Sequence, residues 1–331
     1  MLVTPDKAAD TLHRLCVELQ APSLHPNYLL ADARRDPDLL PCFFIYEDGG
    51  ESYYHAFHTA PVPDTDFIDV QSAYGYGGPV ATTSNREFLE TVSAAWDGWC
   101  RETGVLVEFI RFHPLLENWR FFKGEVLDDR ATVWVDLAAP DLMAQYATRV
   151  RTAIRKAMKS GLRVEWWDAA QFLAVFPALY ADTMRAIGAG DGYFFPPAYF
   201  ERLLAYDAPW LAICLDDRRV LAGAIFLAGA EMVEYHLSAS NAEGRACGAT
   251  NLMLHAAALR GRDADKRRLH LGGGTNAAPD NPLLFFKAGF SELRARFRIG
   301  RQIHEPRAYA GLKANWASRK GASSNRILFY R

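Results

Sequence analysis

Apolar residues recur along this chain with two periods, and the switches between them predict its elements. Residues 1–20 place Asp6, Lys7, Asp10, Arg14 and Glu18 within an apolar pattern, which predicts an amphipathic helix. Phe43-Phe44-Ile45-Tyr46 and Ser52-Tyr53-Tyr54-His55-Ala56-Phe57 flank an Asp48-Gly49-Gly50 turn, the composition of a β-hairpin. Thr83-Ser84-Asn85 supplies caps for a helix to Thr103, with Phe88, Leu89, Val92, Ala95, Trp96 and Trp99 at helical spacing. Residues 105–111 and 131–137 read as strands.

Pro140 and Asp141 mark a boundary, since proline breaks the strand and aspartate can cap the next helix. Beyond it the pattern predicts helices over 142–160, 169–185, 197–205 and 250–260. Strands are predicted over 162–167, 210–215, 220–227, 232–240 and 267–271. Leu293, Ala295, Phe297 and Ile299 then alternate with Arg294, Arg296 and Arg298 in a last strand. Both halves are α/β. The expected organisation is a domain over 1–139, a second over 140–305, and a basic tail over 306–331 that packs back on the first.

Composition narrows the class. The 331 residues include 37 Lys and Arg against 39 Asp and Glu, a balance that looks neutral only as an average. Residues 1–139 hold 10 bases and 22 acids, a net −12, and the remainder holds 27 and 17, a net +10. The second half is therefore the one suited to anionic small-molecule substrates. Five scattered cysteines without a C-x-x-C pair give neither a disulfide framework nor a zinc knuckle, so a reducing cytoplasm is expected and no metal. The longest uncharged apolar run, 220–230, is too short to span a bilayer, so no transmembrane segment is expected.

Four segments carry possible chemistry. Arg245-Ala246-Cys247-Gly248-Ala249-Thr250-Asn251 lies between a predicted strand and helix. Such a turn can hold a pyrophosphate on the first helical amides, or can need Gly248 only for its backbone conformation. Between Asp141 and Glu165 there are six bases and no acid. Arg151, Arg155 and Lys159 share one helix face, with Lys156 beside them, as a solvated surface or a contact for phosphate or carboxylate. Alternation along 234–238 puts Glu234, His236 and Ser238 on one strand face, with Tyr235 and Leu237 on the other. His236 is a candidate base and Tyr235 a candidate donor, or both are structural. Lys287, alone among Leu283, Leu284, Phe285, Phe286 and Phe290, either snorkels or meets a carbonyl that develops negative charge.

Taken with Tyr180 to Arg185, Tyr193-Phe194-Phe195, Leu271-Gly272-Gly273 and Tyr76-Gly77-Gly78-Pro79, these stretches in this order resemble the FemAB-like branch of the GNAT N-acyltransferase superfamily. The resemblance implies an α/β (α+β) fold of two tandem GNAT-like domains, each a mixed, mostly antiparallel sheet flanked by helices. It implies catalytic roles for Lys287, His236 and Tyr235, and donor binding by Arg245, Gly248, Ala249, Thr250 and Asn251. Acceptor binding falls to Arg151, Arg155, Lys156, Tyr76, Gly77 and Gly78. The chain lacks the long charged helical arm of tRNA-docking Fem ligases, which counts against tRNA as a partner. The expected activity is transfer of an acyl group from acyl-CoA, a cosubstrate rather than a bound cofactor, to an amine on a sugar nucleotide or cell-envelope precursor. Two alternatives stay open: an aminoacyl-tRNA-dependent peptidyltransferase and a non-catalytic glycan- or nucleotide-binding module.

Overall fold

The computed structural model describes residues 1–206, 208–321 and 323–331. Along the first stretch lie α1 (Pro5–Arg14), α2 (Pro26–Asp32), β1 (Leu40–Asp48), β2 (Glu51–Pro61), β3 (Ile68–Gln71), β4 (Val80–Ala81), α3 (Arg86–Thr103) and β5 (Val105–Arg111). Next come β6 (Glu125–Asp136), α4 (Thr148–Lys159), β7 (Arg163–Trp166), α5 (Ala169–Leu173), α6 (Phe176–Ala186) and α7 (Pro197–Leu203). After these stand β8 (Pro209–Asp216), β9 (Arg219–Ala228), β10 (Met232–Ser240), α8 (Ala242–Cys247), α9 (Ala249–Asp263) and β11 (Arg268–Gly273). The chain finishes with α10 (Pro282–Ala288), β12 (Arg294–Ile303) and α11 (Pro306–Lys320).

Two units divide these elements. Unit 1 is Met1–Asp129 with Phe297–Arg331, and unit 2 is Arg130–Arg296. The divisions therefore fall ten residues before the expected 139/140 and nine before 305/306. Each lies inside a continuous strand, β6 or β12, where no composition change marks it.

Within unit 1 the strand order is β1-β2-β3-β5-β12, antiparallel except for the parallel pair β3–β5. Unit 2 runs β6-β11-β10-β9-β8-β7 and is likewise antiparallel except at β10–β11. In both, the parallel neighbours are joined through helix, as the crossover of a parallel pair requires: α3 in unit 1, and α8 with α9 in unit 2. The fold class is thus the expected mixed sheet with flanking helices, and its plan is present twice.

Three predicted helices are corrected. The first is confined to Pro5–Arg14, capped by the Thr4 side chain. The helix expected over 142–160 begins only at Thr148, because Tyr146 and Ala147 are extended and the Ala147 amide donates to the Gly289 carbonyl at 2.8 Å. The helix expected over 169–185 is two, α5 and α6, broken before Pro177, whose ring and missing amide do not fit mid-helix.

The unit 2 core forms where α4 and α9 cover one face of the sheet. Val150, Ile154 and Ala157 pack with Leu252, Met253, Ala257, Ala222, Ala224 and Phe226. The opposite face carries α6 and α7, with the rings of Phe172, Phe176, Tyr180, Phe195, Tyr199 and Phe200 in successive contact, Phe172–Phe176 and Phe195–Tyr199 stacked and the others tilted or edge-on.

Candidate active site

In unit 2 the parallel strands β10 and β11 are paired only from Met232 to Glu234, against Arg268 to His270. Just beyond, each strand carries a bulge: His236 is the extra residue of β10 against β9, and Leu271 that of β11 against β6. Bulges end regular pairing and re-aim side chains, and here the two strands part from this point, β10 on to Ser240 and β11 to Gly273.

The bulge corrects the expected face assignment. Tyr235 pairs with Phe226, but Leu237 pairs with Ile225 and Ser238 with Ala224, so alternation shifts by one residue after His236. Ser238 comes round to the face of Tyr235, whose hydroxyl donates to its Oγ. Burial pushes the Tyr235 phenol up to about 12, so it acts as a hydrogen-bond donor at neutral pH. His236 stays on the opposite face, its Nε2 2.6 Å from the Tyr199 hydroxyl of α7.

Lys287 enters this opening from α10. Asn281 caps that helix, its Oδ1 accepting from the Leu283 and Leu284 amides at 3.1 Å each. Its Nδ2 donates to Thr275 Oγ1 and Asn276 Oδ1, so one side chain fixes both the helix start and the loop after β11. A Cβ on Gly274 would fall 2.5 Å from Asn281 Oδ1, which explains glycine there. Lys287, 8% exposed, donates from Nζ to the Gly273 carbonyl at 2.9 Å and lies 5.8 Å from the Tyr235 ring centre. No carboxylate pairs with it among the described residues, and burial lowers its pKa to about 7. An ammonium has three hydrogens, and the carbonyl takes one.

The expected donor turn is built differently from the strand-to-helix turn read in the sequence. Residues 242–247 form α8, capped by the Asn241 side chain, and Gly248 is a left-handed joint (φ +81°) into α9. The Arg245 guanidinium turns back onto the Ser240 carbonyl. A Cβ at Gly248 would come 3.2 Å from the Ala153 carbonyl of α4, so α4 packs against the joint. Ala249 is buried, and Thr250 and Asn251 are half-buried at the start of α9.

The basic helix α4 divides into two groups. Arg149 donates to the Phe285 carbonyl and stacks 4.0 Å over its ring, fastening α4 to α10. Arg151 donates to the Tyr146 carbonyl and to Thr148 Oγ1. Arg155, Lys156 and Lys159 are exposed and make no ion pair among the described residues.

Tyr76, Gly77 and Gly78 belong to unit 1. The Gly77 amide donates to the Arg111 carbonyl at 2.7 Å, and Asn118 Nδ2 donates to the Gly77 carbonyl at 2.9 Å. Tyr76 packs edge-on against His113 and Phe297. The structure thus brings Lys287 and Tyr235 together in one unit, leaves His236 on the other face of β10, and holds the Tyr76 loop in the other unit. Ser238, Gly273 and Asn281 complete the Lys287 surroundings and were not singled out as site residues. The bulge that moves Ser238 leaves no trace in an alternation pattern, whereas Asn281-Pro282 is a helix-start signal that points to α10.

No protein-family model matches the chain, and no curated protein matches it by sequence. Its fold does match solved structures. It is similar to FemX with a TM-score of 0.71 over 94% of this chain and 99% of FemX, at 15% identity. It is similar to the C-terminal domain of a putative lysylphosphatidylglycerol synthetase from Agrobacterium fabrum, with a TM-score of 0.61, 13% identity and coverage of 95% and 98%. A tandem GNAT protein from the clavulanic acid biosynthesis pathway matches with a TM-score of 0.51 and 11% identity, over 91% and 97%. With two units of like strand order and a parallel pair in each, the chain has the tandem GNAT-like fold that FemX also adopts.

Proposed function

We propose that this protein is an acyltransferase of the GNAT/Fem type, moving an acyl group from acyl-CoA to an amine on a sugar nucleotide or cell-envelope precursor. One observation carries the reading: Lys287, an ammonium without a carboxylate partner among the described residues, stands where β10 and β11 part and has hydrogens to give. An acyl carbonyl placed there would gain negative charge on its oxygen as the amine attacks, and Lys287 would meet that charge in a water-poor site. The C–N bond forms, the C–S bond breaks, and the departing thiolate takes a proton. Tyr235, with its hydroxyl held by Ser238, is the nearby group able to supply it. His236 would act as base toward an amine entering from the α6–α7 face, where Tyr199 orients its ring. The donor pyrophosphate would lie against Thr250 and Asn251 at the start of α9, with Arg245, Gly248 and Ala249 shaping that joint.

A second reading makes aminoacyl-tRNA the donor. The exposed cations Arg155, Lys156 and Lys159 favour it, since a cationic surface without acids suits a phosphate backbone. Mass spectrometry of amine acceptors incubated with acyl-CoA or with charged tRNA separates the two. Acyl-CoA-dependent product together with free thiol is expected. Product formed only from charged tRNA reassigns the donor, and product from neither removes the transferase reading.

A further inference from the structure

Unit 1 holds a cavity of about 630 Å³ that the transfer chemistry does not use. Its walls include Tyr53, Trp96, Phe121 and Phe122, and its polar lining includes His55, Ser93 and Glu108. That volume is ordinary for a small-molecule site, as is an apolar wall with a few placed polar groups.

The polar groups are built in and incompletely satisfied. Glu108 is 1% exposed on β5. Its Oε1 accepts the Trp96 indole N–H at 2.9 Å and pairs with His304 Nε2 at 2.7 Å, while its Oε2 has no hydrogen-bond partner among the described residues. Among the described residues, His55, also 1% exposed, has no hydrogen-bond partner on either ring nitrogen, and Ser93 Oγ has none. Burial lowers the His55 pKa to about 3, so its ring is neutral and offers one donor and one acceptor. A buried carboxylate oxygen left without a donor costs free energy, and a ligand donor recovers it.

Charge at the rim selects the sign of that ligand. Arg86 is paired with Glu90, Lys123 with Asp97, and Arg120 with Glu117. The lining cations are therefore committed to acids, and among the described residues Glu108 is the lining carboxylate that no lysine or arginine neutralises, its partner being the His304 imidazole.

We propose that this cavity binds an organic ammonium carried on an apolar or aromatic body, with Glu108 Oε2 accepting from the ammonium and His55 and Ser93 meeting a second polar group. The site is independent of the transferase reading, and Lys287→Ala leaves it intact.

Calorimetry on the full chain tests this with tyramine and its neutral counterpart tyrosol, in which a hydroxyl replaces the amine. The expected result is saturable tyramine binding and tyrosol at least about tenfold weaker. Glu108→Gln, which keeps shape and the Trp96 bond, should remove that preference, and Leu89→Trp at the cavity wall should block both. Equal affinity for the two probes, saturable binding of neither at millimolar concentration, or tyramine binding unchanged in Glu108→Gln overturns the proposal. Saturable Zn²⁺ binding that is lost in Cys100→Ser, in a chain showing no preference for tyramine over tyrosol, overturns it as well. Glu108 would then be a metal ligand with Cys100 and His304, whose ligand atoms lie within 4.8 Å of one another.

Discussion

Lys287 Nζ lies 5.8 Å from the centre of the Tyr235 ring while donating to the carbonyl of Gly273 at 2.9 Å. The contact ties α10 to the parting ends of β10 and β11. It also leaves a cation buried with no carboxylate beside it among the described residues, so desolvation holds its pKa near 7.

That value sets the sign of the pH profile. If the ammonium is the working form, acyl transfer to an acceptor kept as free amine falls as pH rises through about 7. Lys287→Arg, charged at every accessible pH, should lose that falling limb while keeping measurable rate. Rate measurements from pH 5.5 to 9 check it.

Stability moves in the other direction. The folded pKa lies below the unfolded one, so between about 7 and 10.4 the unfolded chain holds a proton that the folded chain has released. The burial penalty is complete below pH 7 and fades as pH rises through this window. Lys287→Met should therefore be more stable than the parent at pH 6, by on the order of 1–3 kcal/mol, and the gain should shrink towards pH 10. Urea denaturation at both pH values measures it.

Asn281 is a positioning residue. Asn281→Ala removes the α10 cap and the loop bonds to Thr275 and Asn276, at a cost of about 1–2 kcal/mol. Transfer should fall more than thermal stability does, because the helix that carries Lys287 loses its anchor. Parallel melting and rate measurements separate the two effects.

Gly248 bears on packing as well as on any donor. Its left-handed backbone and the Ala153 carbonyl 3.2 Å from a Cβ position predict that Gly248→Ala destabilises the chain by about 1–2 kcal/mol without any ligand. A lower melting temperature of the ligand-free variant is the expected result.

In unit 1, Asp32 is fully buried and accepts from Arg35, His58 and the Tyr74 amide. Desolvation raises its pKa, but the His58 hydrogen bond and the Arg35 guanidinium outweigh that and hold it well below the usual carboxylate range. Its stabilising contribution is thus present above about pH 4 and lost as pH falls further. Asp32→Ala should cost about 3–5 kcal/mol at pH 7, since it strands buried partners. Chemical denaturation checks this.

Much of this fold was legible where local pattern and tertiary environment agree. The Gly49-Gly50 hairpin, the Asn85 cap of α3 and the alternating strands come from turn chemistry and periodicity alone. Lys287 stood out as a charge inside an apolar run. The hidden features depend on neighbours distant in sequence. The bulge at His236 is a mismatch between β10 and β9 and cannot be read from β10 alone. The helix over 242–247 is the exception, since its cap, the Asn241 side chain, is a local signal that the strand-to-helix reading of this turn passed over. The unit 1 cavity gathers His55 from β2, Ser93 from α3 and Glu108 from β5. Its one local sign was a glutamate within the apolar strand Val105-Leu106-Val107-Glu108-Phe109-Ile110.

The most direct test of the central claim is single-turnover acyl transfer by the parent chain and Lys287→Met at pH 6.5, with folding of both verified by circular dichroism. A rate at least about 100-fold lower in the variant is the predicted result, the size expected for removing a charge that meets a developing oxyanion. Equal rates from two folded proteins would contradict it.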